Sequence, residues 1–136
     1  MVRIDARHDA ALELTVFDVR GSVTAADFVA AIEAHYRPNR TRNAIWDVTG
    51  SDLSNIDMDA LIRMSDSARQ HSQNQASPRT IIVVADEQEA RLARLYGEIS
   101  EMRGSPIHYV LATSLQEAYE KLDIKDPFEN VAGGAG

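Results

Sequence analysis

The chain has no cysteine among its 136 residues, which removes disulfides, cysteine-ligated zinc, iron-sulfur clusters and thiol chemistry together. Basic residues are also short. Fourteen Lys and Arg stand against 21 Asp and Glu, a net charge of −7, the wrong sign for a protein that grips phosphate backbones, so nucleic acid is not an expected partner. No apolar run is long enough to span a bilayer, and Asp5, Asp9, Glu13 and Asp18 break up the first twenty residues, so neither membrane insertion nor a secretion signal is expected and the cytoplasm is the expected compartment. No internal repeat or low-complexity stretch suggests a fibrous or disordered chain. What is present, 44% hydrophobic and 26% charged residues, fits one soluble domain able to bury roughly two-thirds of its unfolded surface without staples. The expected division is a single domain over 1–124 and a flexible tail over 125–136, ending in Val-Ala-Gly-Gly-Ala-Gly.

Val2 to Arg7 and Ala11 to Val19 read as two strands around a His8-Asp9-Ala10 turn, with Gly21 ending the second. Thr24 with Asp27 marks a helix start, and Phe28, Ile32 and Tyr36 share one helical face before Pro38. Asn43 to Val48 is a short apolar run of the kind covered on both faces, and Asp47 sits at its C-terminal end. A Gly-, Ser- and Asp-rich loop from Thr49 to Ile56 follows. Asp57 then caps a second helix running to about His71, with Leu61, Met64 and Ala68 as its inner seam. Arg79 to Ala85 is the plainest strand and is expected at the centre of the sheet.

Asp86 and Glu89 open a third helix carrying Leu92, Leu95, Tyr96, Ile99 and Met102. Gly97 inside it predicts a close approach of neighbouring backbone, and Gly104 predicts the C-terminal cap. Ile107 to Leu111 gives the last strand, and Ser114 with Glu117 opens a short fourth helix bearing Leu115, Ala118, Tyr119 and Leu122. This alternation predicts an α/β fold: a mixed, mostly parallel sheet with an N-terminal hairpin at its antiparallel edge and about four helices on its faces.

The element order, together with the strings Gly21-Ser-Val-Thr-Ala-Ala-Asp27, Ala44-Ile-Trp-Asp-Val48, Thr80-Ile-Ile-Val-Val-Ala85 and His108-Tyr-Val-Leu-Ala-Thr-Ser-Leu-Gln-Glu-Ala118, resembles the SpoIIAA-like (STAS-like) domains that include the bacterial anti-sigma-factor antagonists. The chain is most similar in kind to the small stand-alone members of that group, whose role is largely unassigned. In the antagonists an Asp-Ser-Ser-Gly-Leu pattern carries a phosphorylatable hydroxyl at the start of the helix after the loop. Here it falls on Asp57-Met-Asp-Ala-Leu61. The first Asp and the Leu match, but Asp59 stands at the phosphoacceptor position and Ala60 at the Gly, so the resemblance implies a regulatory module without the phosphorylation switch. A permanent carboxylate at 59 has less charge and fewer acceptor oxygens than a phosphate.

The strand ends collect Asp47, Thr49, Ser51, Asp52 and Ser54, then Asp57 and Asp59, then Asp86 and Glu87, then Thr113 and Ser114. These residue types could hold a cation or a small polar ligand, since parallel sheets bind at their carboxyl edges. The plainer reading is that Asp57, Asp86 and Ser114 cap helices and the rest are solvated. His8, His35, His71 and His108 are scattered without metal-ligand spacing, and there is no nucleophile elbow or phosphate loop. A phospho-receiver would need an acidic pair where Arg20-Gly21-Ser22 stands and a Lys after the last strand, where Ala112-Thr113-Ser114 stands. No catalysis, metal or cofactor is therefore expected.

Arg37, Arg40 and Arg42 could seat an anion or simply face solvent near a helix end. Met58 and Ile62 widen the apolar arc of the second helix, either for a deeper fit or for a partner. The first expectation is thus a non-enzymatic regulatory or protein-interaction module acting through the second helix and the Thr49 to Ile56 loop, with a homodimer expected on general grounds. The second is a small-molecule domain, for a lipid-like or nucleotide ligand, using the strand-end cleft. Related folds include lipid carriers.

Overall fold

The computed structural model describes residues 2–36, 41–73 and 76–128. Five strands and four helices follow one another as β1 (Arg3–Asp9), β2 (Leu14–Ser22), α1 (Ala25–Tyr36), β3 (Asn43–Asp52), α2 (Met58–Ser72), β4 (Arg79–Val83), α3 (Glu87–Met102), β5 (His108–Ala112) and α4 (Leu115–Lys121). The strands lie in the sheet in chain order, β1-β2-β3-β4-β5. The β1–β2 pair is antiparallel and every later pair is parallel, so the architecture is the mixed α/β sheet that the alternation predicts.

Strand order dictates where the helices go. Each crossover from β2 to β5 steps one place in the same direction, and right-handed crossovers then put α1, α2 and α3 on a single face. Val19, Phe28, Val48, Leu61, Met64, Ile82, Ala93 and Tyr96 form the core between that helix layer and the sheet. Alternation along the strands sends Leu14, Val16, Ile45, Ile81 and Val83 to the opposite face, where Ala118, Tyr119 and Leu122 of α4 and its C-terminal end cover them. The central strand is β3; β4 is flanked by the edge strand β5. Its continuous apolar run reports burial on two faces, a condition that any interior strand meets, so it did not fix the centre.

Several boundaries differ from the sequence reading. β1 runs through His8 to Asp9, whose side chain accepts from the Leu12 amide. The hairpin turn thus falls at 10–13 instead of at His8-Asp9-Ala10, and β2 begins at Leu14 instead of Ala11. β4 ends at Val83 instead of Ala85. β2 continues through Gly21 to Ser22 and β3 continues through the expected loop to Asp52, pairing as Arg20↔Gly50, Gly21↔Ser51 and Ser22↔Asp52 after a register shift at Asp18/Arg20. Gly21 adopts φ 87, so this glycine absorbs an irregularity within the strand instead of ending it. Gly97 also departs from expectation. A Cβ there would meet only the Tyr109 Cβ, at 3.5 Å, an ordinary side-chain contact with no backbone approach.

The helix ends follow their sequence signals. Thr24 and Asp27 form a reciprocal capping pair, with Asp27 Oδ2 accepting from the Thr24 amide at 2.9 Å and the Asp27 amide donating to Thr24 Oγ1 at 3.3 Å. Gly104, at φ 80, stops α3: its amide donates to Glu101 and that of Ser105 to Ser100, the paired bonds of a left-handed C-terminal stop. Within the described part of the expected tail, Phe128 packs, beside Ile124 of the domain, against the α4-side core, and the Arg7 guanidinium lies 4.7 Å above its ring. Residues 129–136 lie outside the described residues, as do Arg37 and Arg40 of the arginine cluster.

Candidate functional site

The acidic strand ends resolve into local turns and caps. Asp47 Oδ1 accepts from the Thr49 amide at 3.1 Å and from Thr49 Oγ1 at 2.6 Å. Ser51 Oγ donates to the Val48 carbonyl at 2.6 Å, and Asp52 Oδ1 accepts from the Ser54 amide at 2.9 Å. That amide, and then the Ser54 hydroxyl, hold the Asp52 carboxyl below its ordinary pKa. Asp57, Asp86 and Ser114 accept from the amides of Ala60, Glu89 and Glu117 at 2.8, 2.9 and 3.0 Å. Glu89 and Glu117 reach back past the caps to the amides of Ala85 and Thr113. All of these bonds close within four residues.

The strand-end residues are not drawn into one cleft. Thr49, Ser51 and Asp52 belong to β3 instead of a loop. Asp47 shares its strand face with Ile45, on the α4 side, away from the helix layer. β2, β3 and β4 send their helices to one face and β5 sends α4 to the other, so the loops diverge to opposite faces between β4 and β5 and not beside Asp47, Thr49, Ser51 or Asp52 of β3. Among the described residues no group of three or more His, Asp or Glu could hold a metal ion. On α2, Asp59 is exposed in the first turn, Met58 is 51% exposed and Ile62 is half-buried.

What the sequence reading missed lies inside. Between the sheet and α1, α2 and α3 is an apolar cavity of about 80 Å³ whose lining includes Ile32, Trp46, Leu61, Met64, Leu92 and Tyr96. Trp46, the chain's one tryptophan, stacks on Phe17 with ring centroids 3.8 Å apart and planes 9° from parallel. Trp46 and Tyr109 lie on the helix-covered face yet keep partial exposure, as residues beside incomplete packing do. The available signal was the mixture of Trp46, Met64, Ala68 and Ala93 on facing positions: large and small side chains that do not interdigitate fully leave a void.

Two polar clusters reach the cavity's lining, one through His35 and one through Tyr96 and Tyr109. In the first, Thr41 Oγ1 lies 2.8 Å from Thr15 Oγ1 and 3.3 Å from His35 Nε2, while His8 Nδ1 lies 2.8 Å from Thr15 Oγ1. Burial, reinforced by the His8 imidazole, pushes the His35 pKa down to about 4. In the second, the Tyr109 hydroxyl donates to that of Tyr96 at 3.3 Å. Burial, and then Tyr96, push the Tyr109 pKa well above its ordinary value.

No protein-family model matches the chain, and no curated protein does either. Among solved structures it is similar to an uncharacterised protein of the DUF3478 family, with a SpoIIAA-like fold, from Shewanella loihica PV-4. The TM-score is 0.57 at 16% identity, over 89% of this chain and 93% of that one. This likeness, together with the five-stranded mostly parallel sheet and four helices, establishes that the chain has a SpoIIAA-like α/β fold.

Proposed function

We propose that the chain is a non-catalytic binding module that takes a small apolar molecule, such as the end of an alkyl chain, between its sheet and helix layer. The observation that carries this reading is the apolar cavity beside Trp46 and Met64. Its location replaces the strand-end cleft expected from the sequence, because the acids there are occupied by turns and caps. At about 80 Å³ it is roughly half the size of an engineered ~150 Å³ cavity that admits benzene. A narrow chain fits better than a ring, and the flexible Met64 side chain is the part of the wall that yields most readily. The absence of a catalytic role is proposed because Asp47, Asp52, Asp57 and Asp86 each already serve a local hydrogen bond.

Native mass spectrometry of the tag-free protein and a titration with sodium decanoate, followed by Trp46 fluorescence, test the reading. The expected outcome is a changed emission and a raised Tm with added decanoate, both abolished in Ala68→Phe, which fills the void. Unchanged emission and Tm, with no retained mass, would remove the proposal.

A second reading, a regulatory protein contact, is favoured by the 51% exposure of Met58 beside the half-buried Ile62 at the start of α2. Asp59 at the phosphoacceptor position supports a surface that does not switch by phosphorylation. Met58→Glu and Ile62→Glu should then strip co-purifying proteins; an unchanged set would exclude this face.

A further inference from the structure

The two edges of the sheet are unlike. β1 carries Arg3, Asp5, Arg7, His8 and Asp9, the alternating charges by which proteins keep an edge from pairing. β5 is His108-Tyr-Val-Leu-Ala112 and has no acidic, Lys or Arg residue. On its inner side the His108 amide donates to Pro78 and the Ala112 carbonyl accepts from Val84. Alternation along the strand therefore turns the amides and carbonyls of Tyr109 and Leu111 outward, and among the described residues no strand lies beyond them. The flanking outward positions are already closed: the Thr113 amide donates to Glu117 Oε1 at 2.6 Å and the Ile107 amide to Ser105 Oγ at 3.2 Å.

Beside this edge runs a groove of about 520 Å³ between β5 and α3. Ala93 and Gly97 give it a shallow helix wall, and Arg94, Glu98 and Glu101 stand on the same flank. Arg94 is engaged with Glu87 Oε1 at 2.6 Å, which leaves Glu98 and Glu101 to set the charge of the rim. An edge strand with two residues' worth of outward backbone groups, roofed by a helix, is the arrangement that accepts an added strand.

We propose that this groove binds an extended peptide segment of another protein, added to the sheet beside β5. The segment places a small apolar side chain against Ala93 and Gly97, and Lys or Arg two residues to either side on the same face, opposite Glu98 and Glu101. Its backbone pairs with Tyr109 and Leu111, while its intervening side chains point to the α4 face. The inference is independent of the cavity reading and goes beyond it.

The test is an NMR titration of the full chain with two synthetic peptides, acetyl-Lys-Val-Val-Val-Lys-amide and its acidic twin, acetyl-Glu-Val-Val-Val-Glu-amide. Amide exchange is read at Tyr109 and Leu111. The expected result is that the basic peptide slows exchange at those two amides and binds at least tenfold more tightly than the acidic one, with the preference weakening in high salt. In Glu98→Lys/Glu101→Lys the preference reverses, and in Gly97→Leu binding falls at least tenfold while Tm stays within a few degrees. Equal binding of the two peptides, or shifts that avoid Tyr109 and Leu111, would overturn the proposal. Protection of the same amides that grows with protein concentration and needs no peptide would also overturn it, making a second copy of the chain the occupant.

Discussion

Asp66 on α2 receives two hydrogen bonds from Arg103 at the end of α3, from Nε at 2.7 Å and from Nη2 at 2.8 Å. The pairing spans 37 residues of chain and fastens the two helices at one end of the layer. The bonds from Arg103 hold the Asp66 carboxyl below its ordinary pKa. A depressed carboxylate contributes stability that is present above the unfolded pKa, near 3.8, and is lost as pH falls through the lower folded value. Because both groups are exposed to solvent, the contribution is small. Asp66→Asn should lower Tm by roughly 2 °C at pH 7 and flatten the acid limb of a Tm–pH curve below about pH 4. Thermal melts from pH 2 to 7 check this, and an unaltered acid limb would count against it.

His35 gives the larger pH effect. It is 3% exposed, and its pKa of about 4 means that the folded chain keeps it neutral where the unfolded imidazole takes a proton. Its contribution is therefore fully present above pH 6.5 and is lost as pH falls from there toward 4. The loss is on the order of 3 kcal/mol. Urea unfolding at pH 7 and pH 4.5 should show most of it in the wild type. His35→Gln, which keeps a donor near Thr41 but does not titrate, should remove the slope whatever it does to stability at pH 7.

Gly97 and Gly104 should respond oppositely to alanine. Gly104 sits at φ 80 with open space around its would-be Cβ, so Gly104→Ala costs about 1 kcal/mol in backbone strain alone. At Gly97 the added methyl meets Tyr109 Cβ at 3.5 Å and gains helix propensity of up to about 1 kcal/mol. Urea midpoints at constant m should move down for the first and stay level or rise for the second.

Asp57→Ala should cost about 1 kcal/mol, the usual loss for a cap whose side chain bonds a first-turn amide, here that of Ala60. Asp57→Ser should restore most of it. If Asp57 instead held a ligand, Ser would not substitute for the carboxylate, so the pair of variants separates a cap from a binding group.

Most of the fold was readable because its signals are local. Caps at Asp57, Asp86 and Ser114, the periodicity of α3 and the stop at Gly104 each depend on residues within a few positions of one another. The extension of β3 to Asp52 was not readable, since Gly50, Ser51 and Asp52 are turn-forming types and join the strand only because β2 supplies partners across the register shift. The strand-end acids were legible as caps yet suggested a cleft, because strand order is invisible in a single strand's composition. The cavity and the β5 groove are products of packing: Trp46 and Met64 read as ordinary core, and the mixture of large and small side chains around them leaves a void only once separate helices meet the sheet.

Strands laid down in chain order also bear on how the protein folds. The most distant of the paired positions given by the parallel register, such as Asn43 with Arg79, are 36 residues apart, and the hairpin pairs Asp9 with Leu14 across a short turn. Each new strand meets a neighbour made immediately before it, so no pairing waits on closure of a loop the length of the domain. The sheet can grow outward from the hairpin one helix-strand unit at a time, and β5, the last strand to join, completes it.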